Sequence, residues 1–403
     1  MNADPQTTEA SQPVAARGPR RVPRAEHVGS LVRPARLRDA LNRLAGQAGT
    51  ELTKSNLLMA QSAMVDELDE VLAELIAEAV QSQIAAGLDS LTDGEYRRMF
   101  FTGSFDAAIR GFEPSTETRF MTGPNGQKIE RPERPVAGRR LEKVSNPLAR
   151  EAEFMASITD RPFKVTIPAA SMYCWYGVFT PGITDRFYAD HDELADHVVD
   201  LMREIVDEAI AAGASYVQFD FPFYPLFVDN SHKQRWRKFG IDDDKAYLER
   251  LLRADAAVIE GLPKTVRTAL HLCRGNAGPY WMASGALDPV AEQVFALPYD
   301  SFLVEWDDKE RDGDYSALRY VPTGADPIVS VGVVSTKRNE LESEDWVLGE
   351  IEEASAYLAV DQLALAPQCG FGTVPGMESV SEDLQWRKLE LVGKVADRVW
   401  PRG

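Results

Sequence analysis

AAGLDSLTDGE (residues 85–95) and AAGASYVQFDF (residues 211–221) follow one plan: the end of a helix, a glycine, a short β-rich run and a carboxylate where that run ends. Upstream of each lies a long amphipathic stretch, SAMVDELDEVLAELIAEAVQSQIAAG and DELADHVVDLMREIVDEAIAAGA, with apolar residues recurring at i, i+3, i+4 and i+7. Gly87 and Gly213 sit where a helix C-terminus calls for a left-handed residue. Two such units read as copies of one βα element. The same rhythm runs through the chain, with candidate strands at 27–31, 88–92, 163–167, 216–220, 266–272, 302–305, 328–334 and 362–366. Eight strands separated by helices predict an α/β protein built as a single (β/α)8 barrel. A doubly wound open sheet is the runner-up, but no G-x-G-x-x-G follows an early strand. One segment, 111–160, breaks the rhythm as a long polar excursion after the second strand. Within it RFMTGPNGQKIE predicts a β-hairpin turning at residues 123–126. An excursion there lies at the barrel's C-terminal mouth, and a lid and a purely structural insertion both fit it.

The chain has 403 residues, 44% hydrophobic and 27% charged, enough for one large barrel core. Its 63 acidic against 44 basic residues give a net charge of −19, which repels nucleic acid and anionic membranes and excludes both as partners. No apolar run approaches the roughly 20 residues that span a bilayer. Residues 1–24 are polar and rich in Pro, Ala and Arg; Arg20 and Arg21 have no apolar stretch behind them, so no export signal is read there. They are expected to be a disordered tail, with the catalytic barrel filling 25–403. Three scattered cysteines, Cys174, Cys273 and Cys369, make no disulfide framework and point to the reducing cytosol. A monomer and a homo-oligomer both stay open.

In the fifth strand, ALHLCRGN places His271 and Cys273 two residues apart, so both can face the barrel axis. The sixth strand ends FLVEWDD, with Glu305 at its C-terminal end, and the eighth ends LALAPQCGFGT, with Cys369 just past it. Imidazole, two thiolates and a carboxylate at one end of one barrel form a ligand set that zinc accepts. A lone H-x-C is weak evidence, and a lone buried cysteine such as Cys174 in SMYCWY reads as a small hydrophobe. Three strands delivering ligands to one face is harder to obtain by accident. Glu305 has a plainer reading, as a satisfied carboxylate beside Asp307 and Asp308.

The motifs HVGSLVRP, TDGEYRR, HLCRGN, DPVAEQV, FLVEWDD, APQCGF and QWRKLELV resemble the catalytic barrel of cobalamin-independent methionine synthase, and more closely its shorter single-barrel relatives. The resemblance covers about residues 27–400, without the N-terminal half of the long enzymes. It implies a zinc-dependent thiol methyltransferase: zinc lowers the pKa of an acceptor thiol and presents it to a methyl group. It makes homocysteine the acceptor and methionine the product, with a methylated pterin or a methyl-corrinoid protein as donor. Glu95 and Asp220 match the residues that grip the homocysteine ammonium, and Gly29 and Ser30 the turn whose backbone meets its carboxylate. Glu305 is the natural exchangeable ligand, a hard carboxylate that yields to an incoming thiol. A salt bridge to Arg97, Arg98 or Arg274 is the plainer reading of each substrate acid, and Asp93 reads as a turn or capping residue.

The chain also departs from the pattern. Phe221 stands where short relatives often carry a second acid, and MFFTGSF replaces an aromatic-histidine segment. Lys337 falls where the long enzymes carry a proton-moving histidine. Phe100, Phe101, Phe221 and Tyr224 suggest an apolar pocket. The chain also resembles epoxyalkane:coenzyme M transferases, whose sulfonate-bearing thiol would want Arg97, Arg98 or Arg274 near the metal. A third reading is a non-catalytic barrel with structural zinc.

Overall fold

The protein is described by a computed structural model covering residues 22–47, 67–374 and 376–401. Residues 1–21 of the expected tail, and residues 62–66 at the start of the first expected long helix, lie outside the described residues. The fold is α/β, centred on a six-stranded parallel sheet of β5 (Val165–Pro168), β6 (Tyr216–Asp220), β7 (Arg267–Leu272), β8 (Ser301–Glu305), β9 (Ile328–Val334) and β10 (Leu363–Pro367). The strands are neighbours in chain order, and every residue in them is buried. That is the behaviour of parallel strands covered by crossover helices.

The helices follow from their sequences. In His191–Ala211, the buried Leu194, Val198, Leu201, Met202 and Ile205 form one stripe. Its N-cap Asp190 accepts from the amides of Asp192 and Glu193, and two acids fill its first turn. Ser343 and Ser381 cap Glu344–Ser355 and Glu382–Val399 in the same way. Gly87 and Gly213 both have positive φ directly after their helices.

The two strands expected first in the chain are reduced to single parallel bridges, Ala25 with Leu365 and Leu91 with Phe163. The pairing residue of the first is Ala25, outside the expected 27–31. Past Glu26 the chain leaves the ladder: the His27 ring turns to Gln83 (2.9 Å), and Leu31 N–H reaches Gly94 O (3.0 Å). Hydrogen bonds still run through these segments. Glu26 N–H donates to Leu365 O (3.2 Å), Asp89 N–H to Ala25 O (2.8 Å), and Lys164 N–H to Leu91 O (2.8 Å).

One face of the sheet carries a small apolar cluster of Val28, Tyr216, Ala269, Leu303 and Ala366. Beside it, buried Glu26 accepts from Lys164 Nζ (2.9 Å), Tyr216 Oη (3.0 Å) and Ser330 Oγ (2.8 Å). Because side chains alternate along a strand, this face fixes which residues share it. Tyr216 puts Gln218 and Asp220 on it, Ala269 puts His271 there, and Leu303 puts Glu305 there.

Residues 111–160 hold more regular structure than their polarity suggests. The expected hairpin is present, β2 (Thr118–Thr122) pairing antiparallel with β3 (Lys128–Pro132). A second antiparallel pair, β1 (Ile109–Glu113) with β4 (Val136–Lys143), precedes a helix, Pro147–Ile158. That helix was legible: Asn146 caps it by accepting from Ala149 N–H, with a proline in the first turn. The hairpin docks on the loop after β7, where Thr122 and Trp281 exchange backbone hydrogen bonds of 2.8 and 2.9 Å.

Two outer helices meet backbone to backbone at Gly393, where an added Cβ would lie 2.0 Å from the carbonyl oxygen of Ala86. Gly393→Ala would gain about 1 kcal/mol in helix propensity. Overpacking against an immovable carbonyl costs about 1–3 kcal/mol, so a net loss of stability is expected. Chemical denaturation measures it; an unchanged or raised midpoint would show that the helices can part freely.

Candidate metal centre

β7 delivers His271 at its penultimate position and Cys273 one residue past its end, and Cys369 lies two residues past β10. Strand alternation alone does not bring Cys369 inward. The parallel register of β10 against β9 shifts between Ala366 and Pro367, and this irregularity changes the phase of the residues that follow. One ligand atom from each of His271, Cys273 and Cys369 falls within 4.8 Å of the other two, and all three residues are buried. Tetrahedral zinc with sulfur at about 2.3 Å and nitrogen at about 2.0 Å separates such atoms by roughly 3.5–3.8 Å, so the group fits.

The histidine is oriented for ligation. His271 Nδ1 lies 3.1 Å from the Leu303 carbonyl, which makes it the donor and leaves Nε2 with its lone pair. That Nε2 is buried and has no hydrogen-bond partner. The neighbouring Cys273, with His271 helping, holds the Cys369 thiol well below its usual range against burial, while burial and Cys369 push Cys273 up. Gly275 N–H also points at Cys273 Sγ (3.5 Å). A deep nitrogen lone pair beside a polarised thiol pair suits a soft cation.

Glu305 stands beside this group but is not one of the three converging atoms. Its Oε2 accepts from Arg274 N–H (2.6 Å) and Asn276 Nδ2 (2.7 Å), and its Oε1 from Arg311 (2.8 Å) and Lys337 Nζ (2.6 Å). Burial pushes the Glu305 carboxyl up, and Lys337 and Arg311 outweigh it and hold it below its usual range. Lys337 is therefore an ion-pair partner of Glu305 and also of Asp307 (3.1 Å). Asp308 has a different task, capping the short turn Lys309–Asp312.

Asp220 is the register partner of His271 across β6 and β7. Gln218 Nε2 donates to Asp220 Oδ1 (2.7 Å), and no ion pair to Asp220 occurs among the described residues. Burial, with the charge of Glu95 adding to it, raises Asp220 to about 7 despite His271 and Gln218. Glu95 is raised by burial too, against Arg98 and Thr166; Thr166 Oγ1 donates to its Oε1 at 2.8 Å. Glu95 has φ +57° and Phe221 φ +52°, left-handed values at the matched positions of the two repeats quoted above. Such backbone is costly for non-glycine residues and gathers at functional sites. Gly29 passes so close that a Cβ there would lie 2.6 Å from Glu95 Oε1. Among the described residues, the amides of Gly29 and Ser30 find no acceptor.

The other expectations resolve plainly. Arg97 pairs with Asp69 and Arg274 with Asp312 at 3.3 Å, while Arg98 pairs with Glu151 and also lies 3.9 Å from Glu95 Oε1, the plainer reading of that acid, so all three arginines are committed to carboxylates. Asp93 is a turn residue, accepting from Glu95 N–H (2.9 Å). Tyr224 gives its hydroxyl to Asp255. Phe221 stays close, its ring tip against Gly275. Cys174 is buried and outside the cluster, and burial raises its thiol. Thr166, Asn276 and Arg311 are site residues that motif reading missed, although Asn276 lies within HLCRGN. No described helix is long and apolar enough to cross a membrane.

Comparison with known proteins gives the same direction. Residues 48–386 match the family described as "Cobalamin-independent synthase, Catalytic domain". Two Bacillus subtilis proteins, YxjG and YxjH, are 32% and 30% identical, each alignment covering 94% of both chains. A 5-methyltetrahydropteroyltriglutamate–homocysteine methyltransferase of Thermosynechococcus vestitus is 24% identical over 81% of this chain and 40% of its own length. Among solved structures, a candidate vitamin-B12-independent methionine synthase from Listeria monocytogenes is 26% identical, with a TM-score of 0.68 over 94% of this chain and 98% of that one. A B12-independent methionine synthase from Shewanella shares the fold, at 19% identity and a TM-score of 0.62 over 83% of this chain and 89% of that one. The chain belongs to the cobalamin-independent synthase catalytic-domain family.

Proposed function

We propose that the protein is a zinc-dependent thiol methyltransferase of the cytosol whose acceptor is homocysteine, on a (β/α)8 barrel closed by segments 24–26 and 89–91. The observation that carries this reading is the placement of Asp220 beside His271. Two raised, buried carboxylates border a His-Cys-Cys group, Asp220 with no ion pair among the described residues and Glu95 with Arg98 3.9 Å away and shared with Glu151. His271, Cys273 and Cys369 would hold the zinc, with Glu305 as the exchangeable fourth ligand. Bound zinc supplies a Lewis acid that keeps an acceptor thiol deprotonated near neutral pH.

The remaining roles belong to the protein. An ammonium between Glu95 and Asp220 gives Asp220 a counter-charge, adds to that of Arg98 at Glu95, and fixes the distance of the thiol from the metal group. The free amides of Gly29 and Ser30 suit the substrate carboxylate. The ring of Phe221 against Gly275 keeps water from the sulfur ligands. Methyl transfer to the thiolate sulfur then gives methionine, the donor leaving with the electron pair of its broken bond. A methylated pterin and a methyl-corrinoid protein both satisfy that balance.

The epoxide-opening alternative needs a cation for a sulfonate, and the occupied Arg97, Arg98 and Arg274 count against it. The structural-zinc alternative needs four fixed ligands, and among the described residues three atoms converge. A thiol panel tests the reading. Homocysteine is expected to release about one proton per zinc-loaded chain on binding, followed in weakly buffered solution with an indicator dye. Coenzyme M and glutathione should release far less. Release by coenzyme M without homocysteine would overturn the assignment.

A further inference from the structure

Both oxygens of Glu305 are taken, by the four donors named above. A carboxylate offers about four acceptor positions, so in this arrangement Glu305 has none left for a cation. The two donors on Oε1 each have another carboxylate within reach. Lys337 Nζ lies 3.1 Å from Asp307 Oδ1, and Arg311 bonds Asp307 Oδ1 at 2.5 Å and Asp312 Oδ1 at 2.8 Å. Asp307 is itself fixed by Ser335 Oγ at 2.5 Å. If Oε1 moves toward the His-Cys-Cys group, neither cation is left buried without a partner. Breaking a buried pair normally costs several kcal/mol because one charge is stranded. Here the spare partners remove that cost, and the carboxylate has two places to be.

We propose that Lys337, backed by Arg311, is a positioning residue that withdraws Glu305 from the metal centre, making Glu305 a two-position carboxylate. This rests on the zinc–thiol reading given above. Two cysteine thiolates already balance a divalent cation, so a substrate thiolate brings in excess negative charge. Moving Glu305 onto Lys337 takes a like charge away from that sulfur. Lys337 thus acts on the reaction through Glu305, without touching substrate.

Cobalt(II) is the probe, loaded in place of zinc, with the visible spectrum reporting coordination and EDTA competition reporting metal release. Lys337→Met removes the withdrawing charge. It is expected to slow cobalt release about tenfold, a usual size for groups behind a metal ligand, and to raise the homocysteine concentration needed to shift the spectrum. Asn276→Ala loosens the other oxygen without deleting a charge, and should move both readouts the same way by less. In a Glu305→Gln background, Lys337→Met should change neither. A structural role alone would lower Tm and leave spectrum and release rate at wild-type values, which would overturn the proposal. Faster release in both single variants would overturn it too, by showing that these donors hold Glu305 in place to bind metal. If Lys337→Met does not fold, Asn276→Ala decides by the same criteria. Failure of the wild-type chain to take up cobalt would overturn the zinc reading itself.

Discussion

If His271, Cys273 and Cys369 hold zinc as proposed, replacing Cys273 or Cys369 by serine is expected to strip the protein of it. Structural zinc sites bind with about 10–16 kcal/mol spread over four ligands, so one thiolate carries roughly 3–4 kcal/mol, a 10²- to 10³-fold loss of affinity. A serine hydroxyl does not compensate, because it is a hard donor that stays protonated at neutral pH. The three ligand atoms lie within 4.8 Å of one another and Cys174 is outside the cluster, so no third thiol takes the place of the lost one. Thiol-dependent methyl transfer should fall by at least the same factor. The measurement is metal content after dialysis against a mild chelator, with circular dichroism to confirm folding. Full zinc in both variants would sink the assignment of the centre.

How much of this centre was legible in the sequence follows from the range of each signal. His271 and Cys273 could be paired from their spacing because a strand's period is local. The convergence of Cys369 depends on a register irregularity between Ala366 and Pro367, which no pattern of apolar residues announces. The fate of Glu305 depends on Arg311 and Lys337, brought to it by two different loops, and on a backbone amide that carries no sequence identity. The two lost strands show the same limit. Their composition is β-like, but each pairs through a single residue once tertiary contacts at His27, Gly29 and Gly94 take over. The helix Pro147–Ile158 has its decisive signal in the Asn146-Pro147 cap, a local feature that the overall polarity of 111–160 hides.

Removing either of the carboxylates proposed to bind substrate tests what the centre acts on. Glu95 and Asp220 are both buried and both raised, Asp220 to about 7; burial makes each costly to ionise, and at Glu95 Arg98, 3.9 Å away, offsets only part of that cost. A substrate ammonium paired with both acids would stabilise their carboxylate forms. Glu95→Gln or Asp220→Asn would leave that ammonium partly unpaired in a buried site. The expected loss is about 2–4 kcal/mol of transition-state stabilisation, roughly 30- to 1,000-fold in kcat/KM with homocysteine. Zinc content should hold in both variants, since neither residue is among the converging ligand atoms, and this separates substrate binding from damage to the metal. With coenzyme M the same neutral substitutions should help or do nothing, because a sulfonate is repelled by the native carboxylates. Arg97, Arg98 and Arg274 offer that sulfonate no free charge, each being held by Asp69, Glu151 or Asp312. Undiminished homocysteine turnover in both variants, with coenzyme M turnover that falls when Arg97 or Arg274 is replaced, would remove the amino-thiol reading and put the epoxide-opening chemistry in its place.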